Sequence, residues 1–504
     1  MLFVSENIFE FNSGTEFSQA MHVKLFNKHG INSKYVTKNH NILLHRAIRT
    51  VGLKDDEVLN MYDFFQGVDT LAYDPDKMLS LRVAPEIVKK DYHIEGVDAN
   101  HSLIKHNGQL VGRIDVHPAT VGMIGSITWY DQFGNNSVVE TYDIRGFKST
   151  ISYFHPNGTI GTVLYLNKEG KPVLEVTHMN IGGNLFPTMF KLLGYKGKDR
   201  RFNSEDELFT FFLDEYLQNN PSEVVVERPN LYQAVANSQN AVKKFAYIHD
   251  SVFADPNNSL NINGIKSVYA PIFGDLANKF HGVIVAAQEQ KNALSALFPN
   301  INIKVAADTI LFPDENSDIA PKEFESQTHK ILVLGRVAPE HRPSEVIKTF
   351  AEVKKEIPDA KLTFQGYFSA EEKRDQLEKR IESLGLEDSV EFSDYKTNDQ
   401  LKEIIQDHQV LLSTSSSEGF GMQIVNAFEY GIPVVAYDVA FQVAQLVKEG
   451  GELVSNNDFR SAAKAIVKLL TDKDSFVKAH QNALENAKTF NSDNVFAQWQ
   501  LAVQ

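Results

Sequence analysis

The sequence contains no cysteine in its 504 residues. This absence excludes disulfide bonds, thiolate metal sites and cysteine nucleophiles, and it suits a reducing compartment such as the cytoplasm. No apolar run approaches the ~20 residues that span a bilayer. Residues 1–6 combine a short apolar stretch with an acid and offer neither a basic region nor a cleavage site. We therefore expect no secretion signal and a cytoplasmic location.

Basic residues are also in deficit, with 50 Lys and Arg against 65 Asp and Glu and a net charge of −15. A protein that binds duplex nucleic acid needs a basic surface, so we expect no nucleic-acid partner. The apolar share of 42% and the charged share of 23% are typical of a globular chain. The 16 histidines show no metal-ligand spacing, so we expect no metal, and we interpret Lys38, His40 and His45 as surface residues.

The order of elements at the start of the chain is typical of a parallel α/β sheet. A short buried strand is followed by the small-residue loop 12–15, an amphipathic helix that stops at Gly30, and a strand at 35–37. The same alternation of strands and helices resumes after residue 205, where apolar runs predict further strands. These runs are residues 224–226, 245–248, 283–285 and 303–305.

The middle of the chain has a different period. Glycines recur every 12 residues at positions 134, 146, 158, 170 and 182, with β-rich runs between them. This spacing predicts an antiparallel meander inserted in the first α/β domain, with type I′ hairpins at Asn107-Gly108 and Asn157-Gly158. The insert is either a plain structural addition or a platform for assembly with an extended partner.

A second α/β domain follows the polar, proline-containing segment 312–329, which we interpret as a linker. Two such domains in tandem predict a ligand cleft at the carboxyl ends of their strands. The predicted fold is α/β, with two Rossmann-like domains, the meander inserted in the first, and a C-terminal helix. The residues expected to pack this helix back are Phe490, Val495, Phe496 and Trp499. The predicted divisions are 1–60 and 205–320 for the first Rossmann-like domain, 61–204 for the meander, 321–490 for the second domain and 491–504 for the helix.

The most informative segment is the loop Ser-Ser-Ser-Glu-Gly-Phe-Gly at 415–421, which directly precedes a predicted helix. Glycines let a backbone approach a ligand, a helix N-terminus attracts phosphate, and the carboxylate of Glu418 can bind hydroxyls. This combination favours a phosphorylated sugar as ligand. The alternative is a glycine-rich strand–helix turn that binds nothing.

With the strand Gly-Ile-Pro-Val-Val at 431–435, this loop resembles the donor half of retaining glycosyltransferases of family 4, which have the GT-B fold. More narrowly, the chain resembles the bacterial group with a β-meander inserted in the first domain. That group includes serine-rich-repeat protein O-GlcNAc transferases and poly(glycerol-phosphate) glucosyltransferases. The resemblance extends over essentially the full length.

The resemblance implies a donor-binding site assembled from several loops. Gly14 lies in the N-terminal nucleotide-sugar loop, Arg336 would contact the donor phosphate, and His249 ends a strand as the candidate catalytic residue. His249 either faces the sugar or is an ordinary polar residue at a strand end. The implied donor-binding set is Gly14, Arg336, His341, Gly366, Glu418, Gly419, Gly421 and Asn426.

Five departures from the family pattern surround this implied site. His341 stands where the family has Lys, with Arg342 beside it as a partial substitute, and Asn426 stands where a second Glu holds the ribose. Lys is a fixed charge, whereas His is mostly neutral at pH 7. Phe368 replaces a glycine and is expected to obstruct the donor, and the motifs at 306–308 and 441–443 also differ. The departures predict weak or vestigial donor binding.

Three functions stay open at this stage. The first is a catalytically impaired, acceptor-recognising subunit that stabilises a paralogous catalytic subunit, which transfers GlcNAc from UDP-N-acetylglucosamine to Ser/Thr. The second is an active retaining glycosyltransferase on protein or wall teichoic acid, with a UDP-sugar as donor substrate and no other cofactor. The third is a binding module that does not act on sugars.

The expected acceptor is a neutral serine-rich polypeptide, because a chain of charge −15 disfavours an acidic one. A peripheral contact with the cytoplasmic face of the cell membrane is left open.

Overall fold

The computed structural model describes residues 1–78, 87, 91–255, 261–312, 324, 327–439, 441, 443–447 and 450–504. Most of the predicted linker at 312–329 lies outside the described residues, and so does position 442 of the 441–443 motif. The strands are β1 Leu2–Ser5, β2 Lys34–Thr37, β3 Val58–Asn60, β4 His93–Gly96, β5 His101–His106, β6 Gln109–Val116, β7 Ile124–Tyr130, β8 Asn136–Tyr142, β9 Lys148–Phe154, β10 Ile160–Leu166, β11 Pro172–Ile181, β12 Asn184–Leu192, β13 Arg200–Phe202, β14 Val224–Val226, β15 Lys244–Ile248, β16 Gly282–Val285, β17 Ile303–Val305, β18 Lys330–Leu334, β19 Lys361–Gln365, β20 Val390–Ser393, β21 Val410–Ser413, β22 Val434–Tyr437 and β23 Gly451–Val454.

The helices are α1 Gly14–Lys28, α2 Leu44–Ala47, α3 Met61–Gln66, α4 Pro75–Met78, α5 Glu205–Asn219, α6 Tyr232–Asn237, α7 Ala270–Phe273, α8 Gln288–Leu297, α9 Pro343–Glu356, α10 Glu371–Glu382, α11 Asn398–Asp407, α12 Met422–Glu429, α13 Val443–Val447, α14 Phe459–Thr471, α15 Lys473–Ala487 and α16 Ser492–Val503. In the described parts of the chain, no helix combines the length and the apolar character needed to cross a membrane.

The chain forms two compact units, one of residues 1–10 and 33–243 and one of residues 11–32 and 244–504. In the first unit, parallel strands lie in the order β14-β1-β2-β3. In the second unit, β15, β16 and β17 pair in parallel, and a separate parallel sheet has the order β20-β19-β18-β21-β22-β23. The predicted α/β architecture is therefore confirmed, whereas the finer division into five segments stays a prediction.

The meander is a ten-stranded antiparallel sheet in the order β13 to β4, as the glycine period predicts. Each periodic glycine lies in a turn with a left-handed backbone, which glycine adopts without steric cost. The φ angles are 85° at Gly134, 88° at Gly146, 80° at Gly158, 80° at Gly170 and 61° at Gly182. The 12-residue period is thus the length of one strand with its turn.

One hairpin prediction is confirmed and one is wrong. Asn107 and Gly108 have φ of 49° and 81° between β5 and β6, as a type I′ turn requires. Asn157 does not have a positive φ, and it lies in a five-residue loop between β9 and β10. Its side-chain oxygen instead accepts a hydrogen bond from the Thr159 amide at 3.1 Å. The Asn-Gly pair alone could not distinguish a two-residue turn from this longer loop.

The C-terminal helix α16 packs back onto early elements of the second unit. Val495 and Trp499 are fully buried, and the indole N–H of Trp499 donates to the Ala307 carbonyl at 3.3 Å. The indole ring lies 5.2 Å from the Tyr247 ring and 6.0 Å from the Phe26 ring on α1. Phe496 stacks on the His29 ring at 3.8 Å, and the Phe490 ring lies 5.6 Å from that of Phe420. The packing predicted for all four residues is confirmed.

A buried network of charges attaches the meander to the helices of the first unit. Arg145, in the turn between β8 and β9, has a fully buried side chain that donates to Asp143 at 2.7 Å and to Asp63 on α3 at 2.8 Å. Its guanidinium also lies 2.9 Å from Nε2 of His45, whose Nδ1 lies 2.6 Å from Asp55. The guanidinium of Arg145 thus faces acceptors from its own turn and from α2 and α3.

The interpretation of Lys38, His40 and His45 as surface residues is wrong. His45 is 2% exposed, the Lys38 ammonium lies 2.9 Å from the Asp206 carboxylate, and His40 Nε2 lies 2.8 Å from the Ser149 hydroxyl. Burial lowers the pKa of His40 to about 4, so its imidazole is neutral at pH 7. Because the partners of Lys38 and His40 are more than 100 positions away, no local pattern signals these contacts.

The electrostatics of the network keep its members ionised. Burial by itself would raise the pKa of Asp63, but the charge of Arg145 and the hydrogen bond from His45 lower it below its usual range. Burial would lower the pKa of Arg145, and the charges of Asp63 and Asp143 raise it instead. Paired charges of this kind are costly to separate because a lone buried charge has no solvent.

We predict that Arg145→Met lowers the free energy of unfolding of the first unit by about 3–5 kcal/mol, because it leaves buried carboxylates unpaired. Urea unfolding followed by the fluorescence of Trp129 on β7 measures the change. The matched control is Arg113→Met, whose pair with Asp115 is half exposed, and there we expect less than about 1 kcal/mol.

The same variant should alter the acid sensitivity of the first unit. Because the pKa of Asp63 is lowered in the folded state, its stabilisation is complete above the pKa of an unfolded aspartate, about 3.9. It is lost as the pH falls through the lower folded-state value. Equal losses in the Arg145 and Arg113 variants would contradict this account of the network.

Candidate functional site

A pocket opens at the carboxyl ends of β18, β19 and β21 in the second unit, where ligands bind to open α/β sheets. The first turns of α9 and α12 border it, so backbone N–H groups and helix dipoles favour an anion there. The lining residues are Val333, Leu334, Gly335, Arg336, Val337, His341, Pro343, Val346, Phe364, Leu412, Ser413, Thr414, Ser415 and Gln423. Two members of the predicted donor-binding set, Arg336 and His341, therefore line one pocket.

Arg336 is presented to this pocket but already has an anionic partner. Its guanidinium forms an ion pair with Glu340, one helical turn later, and both side chains are about two-fifths exposed. Burial would raise the pKa of Glu340, but hydrogen bonding to its own backbone and the charge of Arg336 lower it. A phosphate that binds Arg336 must therefore compete with an ionised carboxylate.

His341 is bound to the serine-rich loop. Its Nδ1 lies 2.9 Å from the Ser415 hydroxyl and 3.7 Å from the Glu418 carboxylate. The backbone carbonyl of His341 accepts from the Thr414 hydroxyl at 2.9 Å, and that of Glu340 accepts from the Ser416 amide at 2.8 Å. The turn that carries His341 is thus attached to the loop that carries Glu418.

Arg342 does not replace the lysine that the family has at position 341. Its backbone is left-handed, with φ of 50°, and it forms the N-cap of α9. Its guanidinium donates to the side-chain oxygens of Asn456 at 2.5 Å and Asn457 at 2.8 Å. The prediction that Arg342 partly substitutes for the family's lysine is therefore wrong, because Arg342 binds two asparagines beyond β23.

Glu418 is held in place at the start of α12. Its side chain is 11% exposed and accepts a hydrogen bond from Gln423 Nε2 at 2.8 Å. The backbone of Glu418 forms a parallel bridge with Phe441, which is the first residue of a departing motif. Asn426 lies one turn further along α12 and is half-buried. Glu418 lies in the loop before α12, and Asn426, where the family pattern has its second Glu, lies on α12 itself.

Two glycines of the predicted donor site are required by contacts within the protein. A methyl group at Gly419 would lie 2.0 Å from the carbonyl oxygen of His249. A methyl group at Gly366 would lie 2.0 Å from the carbonyl oxygen of Gly335. The close approach that we ascribed to a ligand is therefore, at these two positions, an approach of one backbone to another.

The other two glycines lie at helix N-termini. Gly421 has φ of 100° and is the N-cap of α12. A methyl group at Gly14, the first residue of α1, would lie 3.2 Å from Sδ of Met422. The positive ends of α1 and α12 therefore meet at this point, which favours an anionic ligand.

The obstruction expected from Phe368 is wrong. Among the described residues, Phe368 is not part of the pocket lining. Its backbone bridges to Val337, and its ring centroid lies 5.1 Å from that of Phe392 and 5.5 Å from the guanidinium of Arg374. The side chain therefore packs between β20 and α10, outside the lining of this pocket.

His249 is paired with Asp308, which belongs to the motif at 306–308 that departs from the family pattern. His249 Nδ1 lies 2.7 Å from Oδ1 of Asp308, and their side chains are 10% and 5% exposed. Ser18 on α1 donates a short hydrogen bond to the same oxygen. Burial would raise the pKa of Asp308, but the charge and hydrogen bond of His249 and the hydrogen bond from Ser18 lower it.

A signal for this pair was available in the sequence. His249 directly follows β15, and Asp308 follows β17 by three residues. The carboxyl ends of parallel strands meet at the same edge of a sheet, so an acid and a histidine at two such ends can come together. Because the motif at 306–308 was interpreted only as a departure from the family pattern, the pairing of Asp308 with His249 was not predicted.

An aromatic cluster near the N-terminal loop was also missed. Tyr395 lies 5.3 Å from the ring of Phe11 and 5.6 Å from that of Tyr367. Its hydroxyl contacts both the amide and the carbonyl of Asn12 at 3.3 Å. The loop before α1 is thus held against the loops after β19 and β20.

In the part of the chain that the structure describes, no group of three or more His, Asp or Glu could hold a metal.

The chain is similar to a glycosyl transferase family model and to named sugar-transferring proteins. The family model described as "Glycosyl transferases group 1" matches residues 314–490. A poly(glycerol-phosphate) alpha-glucosyltransferase of Bacillus subtilis is 26% identical over 74% of this chain, and the chain spans about half, 53%, of that relative. A UDP-N-acetylglucosamine–peptide N-acetylglucosaminyltransferase GtfA subunit of Streptococcus agalactiae is 23% identical over 97% of this chain and 95% of that protein.

Solved structures share the whole fold at low sequence identity. The pneumococcal O-GlcNAc transferase GtfA, in complex with UDP and GlcNAc, aligns with a TM-score of 0.80 at 17% identity and covers 100% of this chain and 98% of its own. A GtfA/B complex aligns with a TM-score of 0.75 at 19% identity, over 99% of this chain and 98% of its own. The resemblance is thereby confirmed: the chain has the GT-B fold, and its residues 314–490 match the glycosyl transferases group 1 family.

Proposed function

We propose that this chain is a catalytically impaired, acceptor-recognising and stabilising subunit of a two-component protein O-glycosyltransferase that adds GlcNAc to Ser/Thr of a serine-rich protein. The observation that carries the proposal is which residues occupy the expected donor-contact positions at the pocket. His341 and Asn426 stand at two donor-contact positions, and Arg336 is paired with Glu340. The loss of one charged contact costs roughly 1.5–3 kcal/mol, so two losses weaken donor binding about 100-fold or more.

A paralogous catalytic partner is part of the same proposal. One similar solved structure is a GtfA/B complex. A chain that keeps the fold but binds the donor weakly can still support such an assembly by recognising the acceptor. With a net charge of −15, we expect it to prefer a neutral serine-rich polypeptide over an acidic repeat.

The second candidate is an active retaining glycosyltransferase that uses a UDP-sugar and acts on protein or wall teichoic acid. Arg336 and Glu418 favour it, because both are present at the pocket and Glu418 is oriented by Gln423. Similarity over 97% of the chain to a named transferase subunit favours it as well. The affinity for the donor distinguishes the two candidates.

The tip of the β11–β12 hairpin is our candidate contact surface for the partner subunit. Met179 pairs across the hairpin with Phe186, and Ile181 lies on the same face, with 58%, 47% and 57% of their surfaces exposed. Residues 176–190 include no charged side chain, although the chain as a whole is strongly charged. An exposed apolar surface of this kind is typical of a protein interface.

We predict weak binding of UDP-N-acetylglucosamine and UDP-glucose by the isolated chain, measured by calorimetry. His341→Lys combined with Asn426→Glu should raise the affinity more than either change alone, since both residues would contact one ligand. His93→Lys, on the exposed strand β4, is the control for added charge. A dissociation constant in the low micromolar range for the unmodified chain would establish the second candidate instead.

We also predict that Glu340→Gln raises the affinity for UDP about fivefold to tenfold, because Arg336 no longer has an anionic partner to exchange for phosphate. Calorimetry with UDP measures the effect. Glu352→Gln removes a similar charge from the far end of α9, where Glu352 pairs with Lys355, and should change nothing. Equal affinities in the two variants would show that Arg336 does not contact the diphosphate.

For the hairpin, we predict that Met179→Ser with Phe186→Ser weakens association with the co-expressed paralogous subunit at least tenfold, since exposed aromatic anchors dominate many interfaces. Sedimentation velocity measures the complex. The thermal unfolding temperature should not change, because both side chains are exposed. Phe133→Ser, at the turn between β7 and β8, is the control, and an equal effect there would contradict the assignment of the contact to this hairpin.

A further inference from the structure

We propose that Asp308 is a positioning residue that holds His249 with Nδ1–H directed at its carboxylate, so that Nε2 accepts a hydrogen bond from a hydroxyl of the bound sugar or of the acceptor. The proposal rests on the proposed function, because it requires that a sugar binds beside the Glu418 loop. It applies to an impaired subunit and to an active enzyme alike, since both must orient a hydroxyl-bearing ligand.

The first support is the geometry of the pair. The distance of 2.7 Å between Nδ1 and Oδ1 is that of a charge-assisted hydrogen bond, and both side chains are nearly buried. Ser18 Oγ donates to the same carboxylate oxygen and lies 3.4 Å from Nε2 of His22. Asp308 is thus held from two sides, by α1 and by the end of β15.

The second support is the fixed position of the segment that carries Asp308. The Tyr247 hydroxyl donates to the Ala306 carbonyl at 3.1 Å, and the Ala307 amide donates to Gln498 on α16 at 3.1 Å. The Trp499 indole donates to the Ala307 carbonyl at 3.3 Å. Three hydrogen bonds in two consecutive residues leave the Asp308 backbone little freedom, as a residue that orients another requires.

The third support is the position of His249 beside the donor loop. The carbonyl oxygen of His249 lies so close to Gly419 that a methyl group there would be 2.0 Å away. Gly419 directly follows Glu418, whose side chain is near His341 and Gln423 of the pocket. The backbone of His249 is therefore next in space to the loop that carries Glu418, the residue that we expect to hold the sugar.

The chemistry of the pair decides which nitrogen can accept. An ionised carboxylate only accepts hydrogen bonds, and neutral imidazole has one N–H and one bare nitrogen. Because Asp308 accepts from Nδ1, neutral His249 carries its proton there and Nε2 is the acceptor. Without Asp308, either nitrogen could carry the proton, and a fraction of the molecules would present N–H to the hydroxyl.

The first test reads the tautomer directly in the full-length chain. We expect long-range ¹⁵N–¹H spectra of ¹⁵N-histidine-labelled protein, with His249 identified by its loss in His249→Asn, to show neutral His249 protonated at Nδ1. Asp308→Asn should shift it towards protonation at Nε2, and Ser18→Ala should do so more weakly, while Ser18→Thr restores the original spectrum. A wild-type His249 protonated at Nε2, or an unchanged tautomer in Asp308→Asn, overturns the proposal.

The second test identifies the source of the hydroxyl. Saturation-transfer spectra at millimolar ligand compare UDP-N-acetylglucosamine, UDP alone, and a serine-rich peptide in the presence of UDP. If the donor sugar supplies the hydroxyl, Asp308→Asn loses about tenfold in affinity for the UDP-sugar and none for UDP. If the acceptor supplies it, the loss appears with the peptide, and a loss with neither ligand overturns the proposal.

Two controls keep this result separate from that of the proposed function. If Asp308→Asn does not fold, Ser18→Ala removes one hydrogen bond of the same carboxylate and is measured in its place. Tight binding of the UDP-sugar by the unmodified chain would contradict the impaired-subunit proposal. It would not affect the conclusion drawn from the tautomer of His249. No binding of either ligand by the unmodified chain at millimolar concentration overturns the role of Asp308 and leaves a non-catalytic role intact.

Discussion

A charge that leaves water must find its partners inside the protein, and the first unit is organised around one such charge. Arg145 comes from a turn of the meander and reaches Asp143 in the same turn, Asp63 on α3 and His45 on α2. Because an unpaired partner would cost several kcal/mol, the meander cannot change its place on the helices without breaking the network. The network therefore fixes the insert to α3 and its neighbouring segments in the first unit.

The same need for partners explains the state of the donor pocket. Arg336 is paired with Glu340, and His341 is bonded to the serine-rich loop. Helix N-termini still favour an anion at this edge of the sheet. The pocket thus retains the general attraction of its fold for phosphate and lacks the extra fixed charge that a lysine would supply.

The histidine–aspartate pair shows how a departure from a family pattern can carry a new contact. Asp308 follows the short strand β17, two strands away from His249, and its carboxylate is held by Ser18 as well. The loop that carries Glu418 approaches the backbone of His249 closely because Gly419 has no side chain.

The sequence alone determined the α/β class, the meander and its turns, and the resemblance to GT-B glycosyltransferases. These features depend on local periodicity, on glycines that must adopt positive φ, and on a contiguous loop motif, all of which are visible along the chain. Only the tertiary structure decided that His45 is buried, that Phe368 turns towards Phe392, and that Asp308 pairs with His249. Each of these outcomes depends on which distant side chain satisfies a polar group or fills a space, and that is decided by the packing of elements far apart in the sequence.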